Sequence, residues 1–157
     1  AVMMSFIYQI RELQNGGEFV VLLFLAAWGN DTLAYCTGML IGKHKMSPIL
    51  SPKKSIEGLV GGIVGAAILG ALYGLYLNTY IRFSFNPVTM FPIICGLSGA
   101  VSVIGDLAAS AIKRDSGIKD YGTLIPGHGG ILDRFDSIIF IAPVIYYLTV
   151  MISGGAI

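Results

Sequence analysis

Residues 56–78, IEGLVGGIVGAAILGALYGLYLN, form a continuous apolar run whose one charged residue, Glu57, stands at its start. About 20 such residues in a helix cross the hydrocarbon core of a bilayer. The glycines of the run recur at four-residue spacing, and small residues at that spacing let two helices approach closely in lipid. The run therefore predicts a transmembrane helix that packs tightly on its neighbours through the pairs Gly58/Gly62, Gly61/Gly65 and Gly70/Gly74.

The rest of the chain has the same apolar character. Of its 157 residues 55% are hydrophobic and 12% are charged, with a mean hydropathy of +0.77, whereas about 25% are charged in an ordinary soluble domain. The predicted spans are Glu18–Ile41, Ile56–Leu77, Pro87–Ile112 and Phe135–Ser153, and residues 1–10 resemble the end of a fifth. We expect an all-α integral membrane protein with about four to five transmembrane helices. It should form a single domain over residues 1–157, and the apolar first residues indicate a fragment of a longer protein.

Basic residues separate the two ends of this helical bundle. The connections 43–55 and 113–134 hold eight of the ten lysines and arginines, while Arg11 and Arg82 fall on the opposite side. By the positive-inside rule the two basic connections are cytoplasmic. The net charge of +1 gives no field that favours nucleic acid. Cys36 and Cys95 stand apart in apolar segments, as small packing residues do.

Two acidic residues lie well inside predicted spans, away from the span ends. Asp31 is in the middle of the first and Asp106 is deep in the third. An ionisable group within a membrane helix indicates a functional site by default, although a carboxylate paired with a lysine to hold helices together is the alternative for Asp31. Asp106, Ser110 and Lys113 are spaced i, i+4, i+7 and therefore share one helix face.

Two more acidic residues, Asp133 and Asp136, open the fourth span behind the glycine-rich stretch PGHGG, residues 126–130. Their i, i+3 spacing puts them on one face of the first helical turn. Glycines allow backbone N–H groups to approach a phosphate. Carboxylates from several helices that face lysines favour a Mg²⁺ site with a phosphate substrate. Zinc is disfavoured because the two histidines, His44 and His128, lie in different connections.

A long motif identifies the family that the chain resembles. Residues 110–137, SAIKRDSGIKDYGTLIPGHGGILDRFDS, resemble the signature of phosphatidate cytidylyltransferases, also called CDP-diacylglycerol synthases. Residues 51–58, SPKKSIEG, are similar to a second segment of that family, with Ser55 where threonine is usual and Ile56 where an aromatic is common. The residues that match the first signature are Ser110, Lys113, Arg114, Lys119, Asp120, His128, Gly129, Gly130, Asp133, Arg134 and Asp136.

The resemblance implies an enzyme that transfers cytidylyl from CTP to phosphatidic acid, giving CDP-diacylglycerol and pyrophosphate. Asp106, Asp133 and Asp136 are expected to bind Mg²⁺ and, with Lys113, to form the catalytic set. The resemblance also implies a potassium ion near the magnesium, a homodimer, and a location in the cell (inner) membrane. It further implies that the chain is the C-terminal part of a longer family member. The residues expected to bind substrate are Asp31, Ser51, Lys53, Lys54, Ser110, Arg114, Lys119, Asp120, His128, Gly129, Gly130 and Arg134.

Two other functions stay open at this point. A membrane ion or solute transporter could use Asp31 and Asp106 as an intramembrane pathway, and the chain could be an inactive fragment or scaffold. A phosphotransferase that consumes CDP-lipid is disfavoured, because its Asp-Gly-x-x-Ala-Arg motif does not occur in the sequence.

Overall fold

The computed structural model describes residues 2–47, 51–118 and 132–153, with only the backbone described for Ser47, residues 51–53 and residues 132–134. Almost all of the described chain is helical. A π-helical segment, Leu25–Gly29, joins α2 to α3 without a break. The helices are α1 (Val2–Glu12), α2 (Gly16–Phe24), α3 (Asn30–Ile41), α4 (Ile56–Tyr80), α5 (Pro87–Asp115) and α6 (Leu132–Ile152).

Four stretches of the described helices are long and apolar enough to cross a membrane, and they confirm the four predicted spans to within a few residues. They are Gly16–Ile41, Ile56–Tyr80, Pro87–Asp115 and Phe135–Ile152. Residues 2–12 form α1, which packs on α6 through the Phe6 and Tyr146 rings, whose centroids are 5.3 Å apart. With 11 residues, α1 is about half as long as a span, and the end of a fifth span remains a prediction.

The glycines of α4 allow the close packing that their spacing predicts. Gly58 and Gly62 face α3, and a Cβ atom at Gly62 would lie 2.8 Å from the Cβ of Ala34. Gly70 and Gly74 face α5, where a Cβ atom at Gly70 would lie 2.7 Å from the carbonyl oxygen of Phe91. A side chain at these positions would push the helices apart, so glycine sets the distance of α4 from both neighbours.

A short antiparallel hairpin lies where the sequence predicts only a polar connection. It consists of β1 (Lys45–Ser47) and β2 (Ser51–Ser55), with Lys45 opposite Ser55. Ser55 ends β2 and caps α4, because its Oγ accepts a hydrogen bond from the Gly58 N–H at 3.1 Å. His44 fixes the other strand at the same end of the hairpin, since its Nδ1 lies 2.6 Å from Oε1 of Glu57. These bonds hold the hairpin against the start of α4.

Successive membrane helices run in opposite directions, so the connections between them lie at alternate ends of the bundle. One end carries the hairpin, the C-termini of α3 and α5, and the N-termini of α4 and α6. The turn at residues 13–15, the connection at 81–86 and the C-terminus of α6 lie at the other end. Both predicted basic connections therefore leave from the hairpin end. Which side of the membrane that end faces remains a prediction.

Candidate active site

A cavity of about 590 Å³ opens at the hairpin end, between α3, the hairpin, the start of α4 and α5. Its apolar wall includes Tyr35, Met39 and Val103. Its polar wall carries charges of both signs, from α3, the two strands of the hairpin and α5. The polar lining residues are Asn30, Asp31, Lys45, Lys54, Ser55 and Asp106.

An ion pair joins Lys54 of β2 to Asp106 of α5 across this cavity. The Lys54 side chain is 29% exposed and the Asp106 side chain 25%, so the pair is largely shielded from solvent. Burial lowers the pKa of Lys54 below its ordinary value, while the carboxylates of Asp31 and Asp136 act to raise it. Asp106, which the sequence places deep in the third span, thus has an ion-pair partner 52 positions away in the sequence.

This pair and three further charged residues that act on Lys54 form a group of five, which we call the charged cluster. The carboxylates of Asp31 and Asp136 attract the ammonium group of Lys54, and the positive charge of Lys113 repels it. Asp136 is 8% exposed and accepts a hydrogen bond from the Ser137 N–H at 2.7 Å. The members of the charged cluster are Asp31, Lys54, Asp106, Lys113 and Asp136, from α3, β2, α5 and α6. All five were predicted as site residues from the sequence.

Asn30, directly before Asp31, is a site residue that the sequence analysis missed. Its side chain is fully buried between α4 and α5, and Cβ atoms at Gly62 and Gly99 would lie 2.8 and 3.1 Å from its Oδ1. The π-helical segment ends at Gly29, and such wider turns often occur at functional sites. The polar pair Asn30–Asp31 inside an apolar run was the signal available in the sequence. Lys45 and Ser55, which also line the cavity, were not predicted as site residues either.

The carboxylates of the charged cluster suit a hard divalent cation. Asp106 and Asp136 offer only oxygen ligands, which Mg²⁺ prefers. Within residues 2–47, 51–118 and 132–153, no group of three or more His, Cys, Asp or Glu side chains could hold a metal ion. The predicted magnesium set includes Asp133, whose side chain lies outside this description. The three-carboxylate site therefore remains a prediction.

The other predicted site residues divide into two groups. Ser110 and Arg114 lie in the last two turns of α5, where Ser110 is half-buried and Arg114 is exposed. Asp106, Ser110 and Lys113 lie on one continuous helix, as their spacing requires. The remaining predictions fall outside the described residues, or on residues with only the backbone described: Ser51, Lys53, Lys119, Asp120, His128, Gly129, Gly130, Asp133 and Arg134.

Comparison with known proteins gives consistent matches along the chain. The model of the cytidylyltransferase family matches residues 1–152. The phosphatidate cytidylyltransferase of Staphylococcus saprophyticus is 38% identical over 148 residues, which is 94% of this chain and 55% of that protein. The phosphatidate cytidylyltransferase of Staphylococcus aureus is 40% identical over 145 residues, 92% of this chain and 53% of that protein. The chain thus spans about half the length of the curated relatives that it matches.

Proposed function

Because the chain belongs to the cytidylyltransferase family, we propose that it carries the catalytic site of an enzyme that transfers cytidylyl from CTP to phosphatidic acid. The products are CDP-diacylglycerol and pyrophosphate. The observation that carries the proposal is the charged cluster, in which Lys54 lies among the carboxylates of Asp31, Asp106 and Asp136 at one end of four apolar helices. The names of the relatives agree with it.

In the proposed reaction, a phosphate oxygen of phosphatidic acid attacks the α-phosphorus of CTP. The bond from that phosphorus to the β-phosphate oxygen breaks, and pyrophosphate leaves. Phosphatidate is already deprotonated at neutral pH, so the reaction needs no general base. Both substrates are anions, and catalysis therefore depends on positioning and on neutralising charge. Lys54 and Lys113 would serve this purpose, with Lys53 and Arg114 beside them in sequence.

Asp106 and Asp136, together with Asp133, would hold a magnesium ion. Bound there, the ion would neutralise oxygens of the CTP phosphates. The potassium ion that the resemblance implies would lie near it. His128 would donate a hydrogen bond to pyrophosphate, and Gly129 and Gly130 would let the backbone approach a phosphate. The other residues proposed to bind substrate are Asp31, Ser51, Ser110, Lys119, Asp120 and Arg134.

The proposed location follows from the same chemistry. The four apolar helices would place the cavity near the lipid headgroups, with the hairpin end facing the cytoplasm, where CTP is available. Phosphatidic acid would reach the charged cluster from the bilayer and CTP from the aqueous side. The bacterial relatives support the cell membrane as the site of action. We further propose that the protein works as a homodimer.

The position of an isotopic label tests the reaction. The purified chain receives phosphatidic acid, Mg²⁺ and CTP that carries radioactive phosphorus at either the α or the γ position. We expect the α label in chloroform-soluble lipid and the γ label in pyrophosphate, in equal amounts. A γ label in the lipid would indicate a kinase and contradict the proposal. Transport of solute with no requirement for CTP would favour the transporter instead.

A further inference from the structure

A second cavity, of about 260 Å³, lies at the end of the bundle opposite the charged cluster. It is formed by the turn that precedes α2, the connection between α4 and α5, and the last turn of α6. Polar side chains from all three elements line it, among them Asn15, Arg82 and Thr149. Its volume is below the roughly 300 Å³ at which pockets for drug-sized ligands begin. This size suits one small polar group better than a nucleotide.

Thr149 is the most informative residue of this cavity. Its side chain is 1% exposed, and its Oγ1 has no hydrogen-bond partner within the part of the chain that the structure describes. A threonine within a helix commonly donates to the carbonyl oxygen four residues earlier, as Thr37 and Thr79 do here. A buried hydroxyl group without a partner destabilises a protein by about 1–3 kcal/mol. A ligand in the cavity would give this hydroxyl group its partner.

Arg82 supplies the charge of the cavity. It is exposed, it is the one charged residue among those that line the cavity, and no carboxylate lies within 4 Å of it in the described ranges. The connection that carries it is anchored, because the ring of Phe83 packs on Phe91 with centroids 5.6 Å apart. The arginine is therefore held at the cavity by a packed segment.

Asn15 also lines the cavity, directly before α2. It has left-handed backbone angles, φ 58° and ψ 28°, and its side chain makes no capping hydrogen bond to the helix. Asparagine is among the residues that adopt this conformation most readily. Its side-chain amide remains available at the cavity, where it can donate a hydrogen bond.

We propose that this cavity binds a phosphate group, with Arg82 and the Thr149 hydroxyl as donors to its oxygens and Asn15 as a further donor. A guanidinium binds phosphate through paired, charge-assisted hydrogen bonds. The group could belong to a phospholipid in the leaflet away from the charged cluster, or to a free phosphate ion. The site lies at the opposite end from the proposed catalytic cavity and is independent of the proposed function.

Native mass spectrometry of the delipidated chain tests the site, with phosphatidylglycerol and inorganic phosphate as probes. Arg82→Gln should weaken the binding of one probe molecule about tenfold, as the loss of a hydrogen bond to a charged group does. Thr149→Val should weaken it while leaving the stability of the empty protein unchanged or raised, because the unpartnered hydroxyl group is removed. Arg11→Gln is the matched control, since Arg11 is exposed at the same end but does not line the cavity.

The outcomes separate the two sources of phosphate. Phosphatidylglycerol bound without competition from inorganic phosphate would assign the lipid headgroup, and displacement by inorganic phosphate would assign the anion itself. Lys54→Met should keep this site, so a failure of the proposed catalytic function leaves it unaffected. Equal loss in Arg82→Gln and Arg11→Gln would overturn the proposal. So would the absence of any bound probe on the wild-type chain.

Discussion

Replacing Lys54 by methionine tests whether the charged cluster contributes to both the stability and the turnover of the protein. The substitution keeps an unbranched side chain of similar length but removes the cation. Asp106 then loses its ion-pair partner, and Asp31 and Asp136 lose the nearby positive charge of Lys54. We predict that both the stability and the proposed turnover fall, because Lys54 helps to balance these carboxylates and would also face the anionic substrates.

The burial of the pair sets the expected size of the effect. Breaking a fully buried ion pair destabilises a protein by about 3–5 kcal/mol, whereas a surface pair is worth about 0–1 kcal/mol. The side chains of Lys54 and Asp106 are 29% and 25% exposed, which places the expected loss between these limits, at about 2 kcal/mol. Turnover should fall at least about a hundredfold, as it does when one donor to a developing charge is removed.

A double-mutant cycle separates the pair from its surroundings. Lys54→Met, Asp106→Asn and the double variant are unfolded with sodium dodecyl sulfate in mixed micelles, and the free energy of unfolding is compared. We expect a coupling energy of about 1–2 kcal/mol, typical of residues in one charged network. Arg11→Met, an exposed cation at the other end of the bundle, should change the stability by less than about 0.5 kcal/mol. Additive single effects, together with turnover within tenfold of the wild type, would refute the reasoning.

Three further predictions address the metal, the packing and the nucleotide. Asp133→Asn and Asp136→Asn should each abolish turnover while the protein remains folded in detergent; a near-normal rate in either would remove that residue from the magnesium site. Gly62→Ala should lower the free energy of unfolding by about 1–3 kcal/mol, because its Cβ would come within 2.8 Å of atoms of α3. Gly96→Ala, whose Cβ meets its nearest neighbour at 3.7 Å, is the control, and equal effects would contradict the packing. Lys45→Gln should raise the KM for CTP about fivefold, the effect of one solvated charge, and an unchanged KM would exclude Lys45 from the nucleotide site.

Much of the fold could be predicted because a membrane imposes simple rules. Apolar length identified the four spans, and the four-residue spacing of glycines identified the tight contacts of α4 with α3 and α5. The hairpin could not be predicted in this way. Its strands are three and five residues long and polar, and bonds from His44 and Ser55 to the start of α4 hold it in place. Such contacts depend on where the helices end.

Five charged residues around the cavity were predicted from the sequence, but their arrangement was not. Helical spacing placed Asp106, Ser110 and Lys113 on one face, and the continuous α5 agrees with it. The pairing of Lys54 with Asp106 spans 52 positions and depends on where the hairpin places Lys54 relative to α5. Local periodicity carries no information on that. The π-helical turn before Asn30 escaped prediction for a similar reason, since no residue type marks such a turn.

The most direct test of the proposed function is the initial rate at which label passes from CTP into chloroform-soluble lipid. The wild-type chain and Asp106→Asn would be compared with phosphatidic acid, at saturating Mg²⁺ and after chelation of the metal. We predict transfer by the wild-type chain that requires Mg²⁺ and is lost in Asp106→Asn. Transfer that persists after chelation, or an unimpaired Asp106→Asn, would contradict the role proposed for the charged cluster.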